Sequence, residues 1–337
     1  MEAELLKTLS GRRRRAWEGL MDQAGLRPSE PLDEVLLLWD GTCLASAGAR
    51  RGNVLQCIAV DPRYQGQDAA ATVLTQLRQS AFSQGIEKLF LYTKPKNQPV
   101  FQSLFFYPVA ATGDAALMES ERDGIRRFLA GLSAPCRSGV IGAAVMNCNP
   151  FTLGHRYLIE RAAAECDWVY VFVLSEEQGL FPAADRLRLV REGTADLQNV
   201  TVHPSGPYQI SSATFPDYFL ADRSRTEEIH CRLDLQIFLD YYAEAFHISR
   251  RYVGTEPLSP LTMAYNREMA AFLPPRGVAV QEISRRERDG APISASTVRR
   301  LLGQNRPEAL SSLVPPTTLR YLAERNLISS AEQEDHL

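Results

Sequence analysis

Residues 146–155, Met-Asn-Cys-Asn-Pro-Phe-Thr-Leu-Gly-His, combine side chains that can bind and activate a phosphate group. An apolar run precedes them and a helical pattern follows at 156–165, so a strand, a tight loop and a helix N-terminus should meet here. Free backbone N–H groups and the helix dipole make such a junction an anion site. Thr152 and His155 should project from the first helical turn, and Gly154 leaves room for a ligand near the backbone. A hydroxyl, an imidazole and several N–H groups around one anion suit phosphoryl or nucleotidyl transfer.

A second phosphate site is predicted at residues 292–302, which read as a loop followed by an amphipathic helix. Ser294 or Ser296 can cap that helix, and Arg299 follows on its first turns. Taken alone, this pattern favours an ordinary capped helix with solvated arginines, just as a lone histidine at a helix start is usually a cap or a surface residue. The two motifs together, in this order and at this distance, favour a shared phosphate site.

The composition is that of a globular protein with room for two domains. The chain has 337 residues, of which 45% are hydrophobic, and a formal charge of −3, so nothing favours binding to nucleic acid. It has no apolar run long enough for a membrane helix, and its N-terminus lacks the pattern of a signal peptide. Six scattered cysteines fit reduced thiols better than disulfides or a metal site. We therefore expect a cytoplasmic protein with no membrane partner and no metal ligated by its own side chains.

A domain boundary is predicted near residue 133, which gives domains of residues 1–133 and 134–337. The second domain has apolar strands with little polar alternation, separated by helices. This pattern predicts a doubly wound, Rossmann-like parallel sheet with ligands at the carboxyl ends of its strands. Three segments reach that edge, at residues 147–155, 254–257 and 293–299, and they can form one nucleotide pocket.

The first domain reads as hairpin, strand, turn, helix, strand and helix, an order that resembles GNAT acyltransferases. The turn that would hold the coenzyme A pyrophosphate in that family contains Gln65, Gly66 and Ala70. Asp68 stands where the family has a glycine, which disfavours a pyrophosphate by charge. Two interpretations stay open for this domain: a seat for a coenzyme-A-like arm, or a scaffold without its own ligand.

The second domain resembles the nucleotidyltransferase superfamily, through a T-x-G-H form of its H-x-G-H motif and an I-S-x-S-type segment before a helix. Several motifs in register narrow this resemblance to the citrate lyase ligase family; they are residues 149–160, 192–196, 213–216, 252–257 and 292–296. The resemblance implies an acid–thiol ligase that activates acetate with ATP as acetyl-adenylate. The acetyl group would then pass to the thiol of a coenzyme-A-like prosthetic group on the acyl-carrier subunit of citrate lyase, releasing AMP and pyrophosphate.

The resemblance also implies roles for individual residues. The catalytic residues would be His155 and Thr152 at the phosphates and Asn147 at the attacking carboxylate or α-phosphate. Ser294, Ser296 and Arg299 would hold the β- and γ-phosphates, assisted by Mg²⁺, with Arg300 taking the arginine's place if the register shifts by one. The remaining ATP contacts would come from Cys148, Asn149, Pro150, Phe151, Gly154, Gly254 and Glu256.

Two other functions share parts of this pattern. An adenylyltransferase acting on phosphopantetheine or nicotinamide mononucleotide would use the same nucleotide site, but Glu176 and Glu177 after the second strand disfavour a phosphorylated acceptor. An N-acetyltransferase activity of the first domain is disfavoured by the missing glycine at Asp68.

Overall fold

The computed structural model describes residues 1–29, 31–177, 179–209, 211, 215–256, 259–288, 290–304 and 306–328. The chain forms two compact units: Met1–Arg127 with Ser212–Gln236, and Phe128–Ser211 with Ile237–Leu337. This division differs from the single predicted boundary at 133/134, because residues 212–236 belong to the first unit. The predicted motif residues Ala213, Thr214 and Pro257 lie outside the described part of the chain.

The first unit is built on a seven-stranded sheet with the order β1-β2-β3-β4-β5-β7-β6. The strands are β1 (Glu2–Leu6), β2 (Glu34–Asp40), β3 (Cys43–Arg51), β4 (Val54–Val60), β5 (Phe90–Thr93), β6 (Tyr107–Ala111) and β7 (Ala116–Glu119). The helices of this part of the sequence are α1 (Gly11–Ala24), α2 (Ala69–Ser83), α3 (Gln98–Ser103) and α4 (Gly124–Ala130). The predicted hairpin is the antiparallel pair β2–β3.

The strands β4 and β5 are parallel but share only two residue pairs, Val54 with Phe90 and Leu55 with Leu91. Beyond that point β4 contains Cys57 at φ 58°, a positive value that bends the strand. The two strands therefore diverge toward their carboxyl ends. Side chains from residues 215–236 are buried in this unit. The hydroxyl of Tyr218 donates to the backbone carbonyl of Tyr92, and the ring of Phe215 packs edge-on against the ring of Tyr92.

The second unit contains a five-stranded parallel sheet with the order β10-β9-β8-β11-β12. Its strands are β8 (Ile141–Met146), β9 (Trp168–Val173), β10 (Val200–Pro204), β11 (Arg250–Gly254) and β12 (Ala279–Ile283), with a separate short hairpin of β13 (Glu287–Arg288) and β14 (Ala291–Pro292). The sequence order reverses between β8 and β11, which is where a doubly wound sheet opens a crevice for ligands. The predicted fold class is confirmed.

The helices of the second half of the chain belong mostly to this second unit, whereas the helix at Thr226–Ile237 lies almost entirely in the first unit. They are α5 (Leu153–Glu165), α6 (Ala183–Gly193), α7 (Thr226–Ile237), α8 (Glu244–Phe246), α9 (Pro260–Phe272), α10 (Ala295–Gly303) and α11 (Pro316–Glu324). Helix α7 passes directly into a π-helix at Phe238–Ala243. No helix among the described residues is both long and apolar enough to cross a membrane.

Candidate functional site

The N-termini of α5 and α10 meet at the carboxyl edge of the parallel sheet. A Cβ placed on Gly154, in the first turn of α5, would lie 2.7 Å from the carbonyl oxygen of Ile293, which directly precedes the cap of α10. Gly154 is therefore required by the close approach of this second backbone segment. The two predicted motifs, about 140 residues apart in sequence, therefore lie side by side at this edge of the sheet.

A capping box fixes His155 at the start of α5. Thr152 is the N-cap, and its hydroxyl accepts from the backbone N–H of His155 at 3.3 Å. The backbone N–H of Thr152 in turn donates to Nδ1 of His155 at 3.1 Å. Because Nδ1 is the acceptor, the neutral imidazole carries its proton on Nε2. Thr152 is buried and its hydroxyl also lies 2.9 Å from Nδ1, so its contacts orient the histidine.

The electrostatic surroundings keep His155 uncharged. Burial lowers its pKa from 6.5 to about 4, and the positive charges of Arg285 and Arg299 contribute to the shift. The ring stacks on Phe151 with the centroids 6.1 Å apart. A neutral imidazole beside two guanidinium groups can donate one hydrogen bond from Nε2 to an anion. The arginines supply the positive charge.

The loop that joins β8 to α5 presents its backbone to the site. Cys148 and Phe151 are buried in the core of the unit, so they can offer only main-chain groups to a ligand. Burial also raises the pKa of the Cys148 thiol well above its usual range. Asn149 is buried and accepts from the backbone N–H of Phe181, and Pro150, which follows it through a cis peptide bond, is buried as well.

Arg186 braces this loop from α6 and was not identified from the sequence. Its guanidinium is fully buried and donates to the carbonyl of Asn147 at 2.8 Å and to Oδ1 of the same residue at 2.6 Å. It also donates to the carbonyls of Phe181 and Glu176. No described carboxylate forms an ion pair with it, although the negative charges of Glu177 and Glu176 act on it from a distance. Burial lowers the pKa of Arg186.

The start of α10 supplies the hydroxyl groups and one arginine. Ser294 is the buried N-cap, accepting from the backbone N–H of Thr297 at 3.1 Å, and its hydroxyl lies 2.9 Å from that of the exposed Ser296. Arg299 is half-buried and donates to the carbonyl of Asn149 in the loop before α5. Arg300 is exposed and contacts Gln304 on its own helix. Arg299 is thus the arginine that reaches the loop.

The end of β11 forms the other wall of the site. A Cβ on Gly254 would lie in ordinary van der Waals contact with the side chain of Arg285, at 3.8–4.0 Å, and with the carbonyl oxygen of Ile283 at 4.0 Å, so Arg285 packs beside this glycine. Glu256 pairs with Arg285, which also donates to the carbonyl of Thr255 at 2.6 Å. Asn266 of α9 donates to the carbonyl of Gly254 at 3.0 Å, while its buried Oδ1 has no hydrogen bond to any described residue.

The turn predicted to bind a coenzyme-A-like arm belongs to the first unit. Gln65 and Gly66 are exposed and Ala70 is half-buried at the start of α2, whose N-cap Asp68 makes no side-chain capping bond. A cavity of about 170 Å³ lies in the same unit where β4 and β5 diverge. Its lining residues are Ala24, Leu26, Ile58, Thr93, Lys94, Lys96, Asn97, Phe101, Tyr218 and Phe219.

The sequence pattern did not identify the contacts of two arginines of the second unit, Arg186 and Arg285. One feature of the sequence could have identified Arg186, because it lies on the apolar face of α6 with Leu189, Val190 and Gly193. A charged residue at that spacing indicates a buried polar role. Arg285 belongs to a run of basic residues that reads as a solvated loop, and only its contacts with Thr255 and Glu256 distinguish it.

Within the described ranges, no group of three His, Cys, Asp or Glu side chains could hold a metal ion.

Comparison with known proteins matches both units. Residues 141–322 match the family described as citrate lyase ligase C-terminal domain, and residues 4–104 match the acetyltransferase (GNAT) family. The chain is 44% identical to the citrate (pro-3S)-lyase ligase of Klebsiella pneumoniae, over 83% of this chain and 84% of that protein. The ligase of Escherichia coli strain K12 is 39% identical over 86% of this chain and 84% of its own length. That of Haemophilus influenzae is 37% identical, over 84% and 87%. These relatives confirm the resemblance, and the chain belongs to the citrate lyase ligase family.

Proposed function

We propose that this protein is an acid–thiol ligase that activates acetate with ATP and acetylates the prosthetic thiol of the citrate lyase acyl carrier. The observation that carries the proposal is the meeting of two capped helix N-termini with a neutral histidine and two arginines at the edge of a parallel sheet. Such an arrangement binds a polyphosphate and stabilises charge that develops during transfer. The name of the relatives points to citrate lyase as the partner. Acetate and the prosthetic thiol are what the family resemblance implies.

ATP is proposed to lie across the β8–β11 crevice. The N-terminus of α10, with Ser296 and Arg299, would hold the β- and γ-phosphates, and Nε2 of His155 would donate to an α-phosphate oxygen. The adenosine would lie near Gly254 and the adjoining side chain of Arg285, with Glu256 and Asn266 at its polar edge. The backbone of residues 147–151 would complete the site.

The reaction begins with an acetate oxygen attacking the α-phosphorus in line with the bond to pyrophosphate. That bond breaks, its electrons leave with pyrophosphate, and acetyl-adenylate forms. Two anions must approach each other in this step, and the buried positive charge of Arg186, whose guanidinium donates to Oδ1 of Asn147, would reduce their repulsion. Thr152 acts as a positioning residue, because its buried contacts orient His155.

Mg²⁺ is proposed to enter with ATP rather than to reside in the protein. The described residues offer no group of ligands for a metal, whereas Mg²⁺ is commonly held by phosphates and water with few protein contacts. When bound to the triphosphate it would neutralise charge on the leaving pyrophosphate. The protein contributes the geometry around it.

The second step needs a coenzyme-A-like thiol to attack the acetyl carbon and release AMP. We propose that the first unit helps to seat the carrier's arm, for which two features are available. The turn with Gln65, Gly66 and Ala70 is exposed, and the cavity where β4 and β5 diverge has Lys94 and Lys96 on its lining. Lysines at the rim of a partly apolar cavity suit a phosphorylated pantetheine-type chain.

The proposal is tested with ATP, acetate and a citrate lyase carrier whose prosthetic thiol is free. We expect AMP and pyrophosphate in equal amounts, together with one acetyl thioester per carrier. An adenylyltransferase would instead release pyrophosphate with phosphopantetheine and without acetate. Pyrophosphate release that depends on phosphopantetheine alone would therefore reject the ligase assignment.

The arm site is tested separately by replacing Lys94 and Lys96 with Met. Acetate-dependent ATP–pyrophosphate exchange should stay unchanged, since this reaction needs no carrier, while the KM for the carrier should rise several-fold. An unchanged KM for the carrier would reject the cavity as the seat of the arm.

A further inference from the structure

Gln209 is a buried side chain whose polar atoms are not used by the fold. The residue is 1% exposed, and neither its Oε1 nor its Nε2 forms a hydrogen bond with any residue that the structure describes. A buried polar group without a partner costs about 1–3 kcal/mol, and native proteins contain few of them. An amide with both atoms in this state indicates a small polar ligand.

The loop that carries Gln209 is held from three directions. At its start, the hydroxyl of Ser205 accepts from the backbone N–H of Ser175, while the hydroxyl of Ser175 accepts from the backbone N–H of Gly206. The hydroxyl of Tyr242, placed by the π-helix, donates to the carbonyl of Ser205. The ring of Phe128 fills the space where a Cβ on Gly206 would lie. The fixed loop keeps the amide from moving to another partner.

The hydrogen bonds of this loop lead toward the end of β8. The loop follows β10, and two residues after Gln209 the backbone N–H of Ser211 donates to the carboxylate of Glu176 at 2.5 Å. Arg186 donates both to the carbonyl of Glu176 and to Oδ1 of Asn147. Glu176, through its carboxylate on one side and its backbone carbonyl on the other, therefore links the Gln209 loop to Arg186 and the end of β8.

The direction of attack points to the same side. The nucleoside is proposed at the end of β11 and the pyrophosphate at α10, so an in-line nucleophile must approach from the remaining side of the crevice. In the strand order β10-β9-β8-β11-β12, that side is formed by the ends of β9 and β10. Gln209 follows β10 there.

We propose that Gln209 is the residue that binds the carboxylate of the acid substrate. Its Nε2 donates to the carboxylate oxygen that does not attack, and its Oε1 accepts from a water molecule. The other oxygen forms the new bond to the α-phosphorus as the bond to pyrophosphate breaks. This inference rests on the proposed function and adds to it the residue that determines where the acid lies.

The test compares Gln209→Met with Gln84→Met in the full-length protein. Both changes replace an amide by a side chain of similar length, but the Gln84 amide accepts from Arg50 at 2.8 Å and contacts Ser80. Acetate-dependent ATP–pyrophosphate exchange gives the KM for acetate and for ATP, and thermal unfolding gives Tm. Gln209→Met should raise the KM for acetate about 10-fold or more, leave the KM for ATP within twofold, and leave Tm equal or higher. Gln84→Met should lower Tm and leave both KM values unchanged.

Several outcomes would overturn the inference. These are an unchanged KM for acetate in Gln209→Met, a parallel rise in both KM values with a lower Tm, or a failure of this variant to fold. Gln209→Glu provides a second measurement, because it keeps the shape but replaces the donor by a carboxylate oxygen, and the KM for acetate should rise further. If the unmodified protein shows no acetate-dependent exchange, the proposed function itself fails. If the unmodified protein shows acetate-dependent exchange and the Gln209 variants have the same KM for acetate, the function stands and the carboxylate assignment is wrong.

Discussion

Replacing His155 by Asn separates its two roles in the structure. The Oδ1 of Asn can replace Nδ1 as the acceptor for the backbone N–H of Thr152, so the capping box of α5 is kept. The Nε2–H donor to the α-phosphate is lost, and removal of one such donor commonly lowers a rate about 10²–10³-fold. His155→Ala loses both the Nε2–H donor and the Nδ1 acceptor for the backbone N–H of Thr152. It should therefore show the same loss of exchange and an additional destabilisation of about 1 kcal/mol.

The low pKa of His155 makes the expected pH dependence specific. With a folded pKa of about 4, the imidazole is neutral throughout the working range, so acetate-dependent exchange should show no inflection near pH 6.5. In the unfolded chain the residue is protonated below about pH 6.5. Its contribution to stability is therefore complete above that value and is lost as the pH falls toward 4, by at most about 3 kcal/mol. His155→Asn should remove this part of the acid sensitivity.

The assay is ATP–pyrophosphate exchange with acetate, together with thermal unfolding between pH 4 and pH 8. Near-normal exchange in a folded His155→Asn variant would show that Nε2 does not act as the donor. An inflection in the unmodified protein near pH 6.5 that disappears in this variant would show that the charged imidazole is needed. Either result would refute the neutral-donor mechanism.

Further predictions concern the phosphate site and the loop before α5. Arg299→Ala should raise the KM for ATP at least 10-fold while Arg300→Ala leaves it unchanged, because only the first arginine reaches the loop; the reverse result would shift the register by one. Gly154→Ala should lower the free energy of unfolding by about 1–3 kcal/mol and raise the KM for ATP, since its Cβ would lie 2.7 Å from the carbonyl oxygen of Ile293; a stable variant with normal kinetics would contradict the close approach. Cys148 should react with a thiol reagent only after unfolding, later than the half-exposed cysteines, as mass mapping of the labelled peptides can test.

The parts of the fold that depend on local pattern could be predicted from the sequence. The strand, loop and helix around Thr152 and His155 follow one another directly in the chain, so the N-terminus of α5 could be predicted from the sequence. Helix α10 was predicted for the same reason. The T-x-G-H spacing could not show that the Thr152 hydroxyl is used as a cap, because a cap and a phosphate ligand require the same residue type.

What the sequence could not provide was the result of long-range burial. Arg186 binds backbone groups almost 40 residues earlier in the chain, and nothing local to α6 identifies those partners. The same holds for Gln209, whose lack of a partner is visible only once the surrounding loop is placed. Residues 212–236 follow a predicted second-domain strand and yet belong to the first unit, because their aromatic side chains bury against Tyr92.

The attack of acetate on the α-phosphorus is the central step of the proposed mechanism, and the path of an oxygen atom tests it directly. The protein is supplied with ATP, the thiol form of the acyl carrier and acetate labelled with ¹⁸O in both carboxylate oxygens. If the acid attacks the α-phosphorus, the bridging oxygen stays with phosphorus when the thiol takes the acetyl group. Mass spectrometry should then find one ¹⁸O in each AMP and none in pyrophosphate. Unlabelled AMP, or label in pyrophosphate or inorganic phosphate, would contradict the adenylate mechanism.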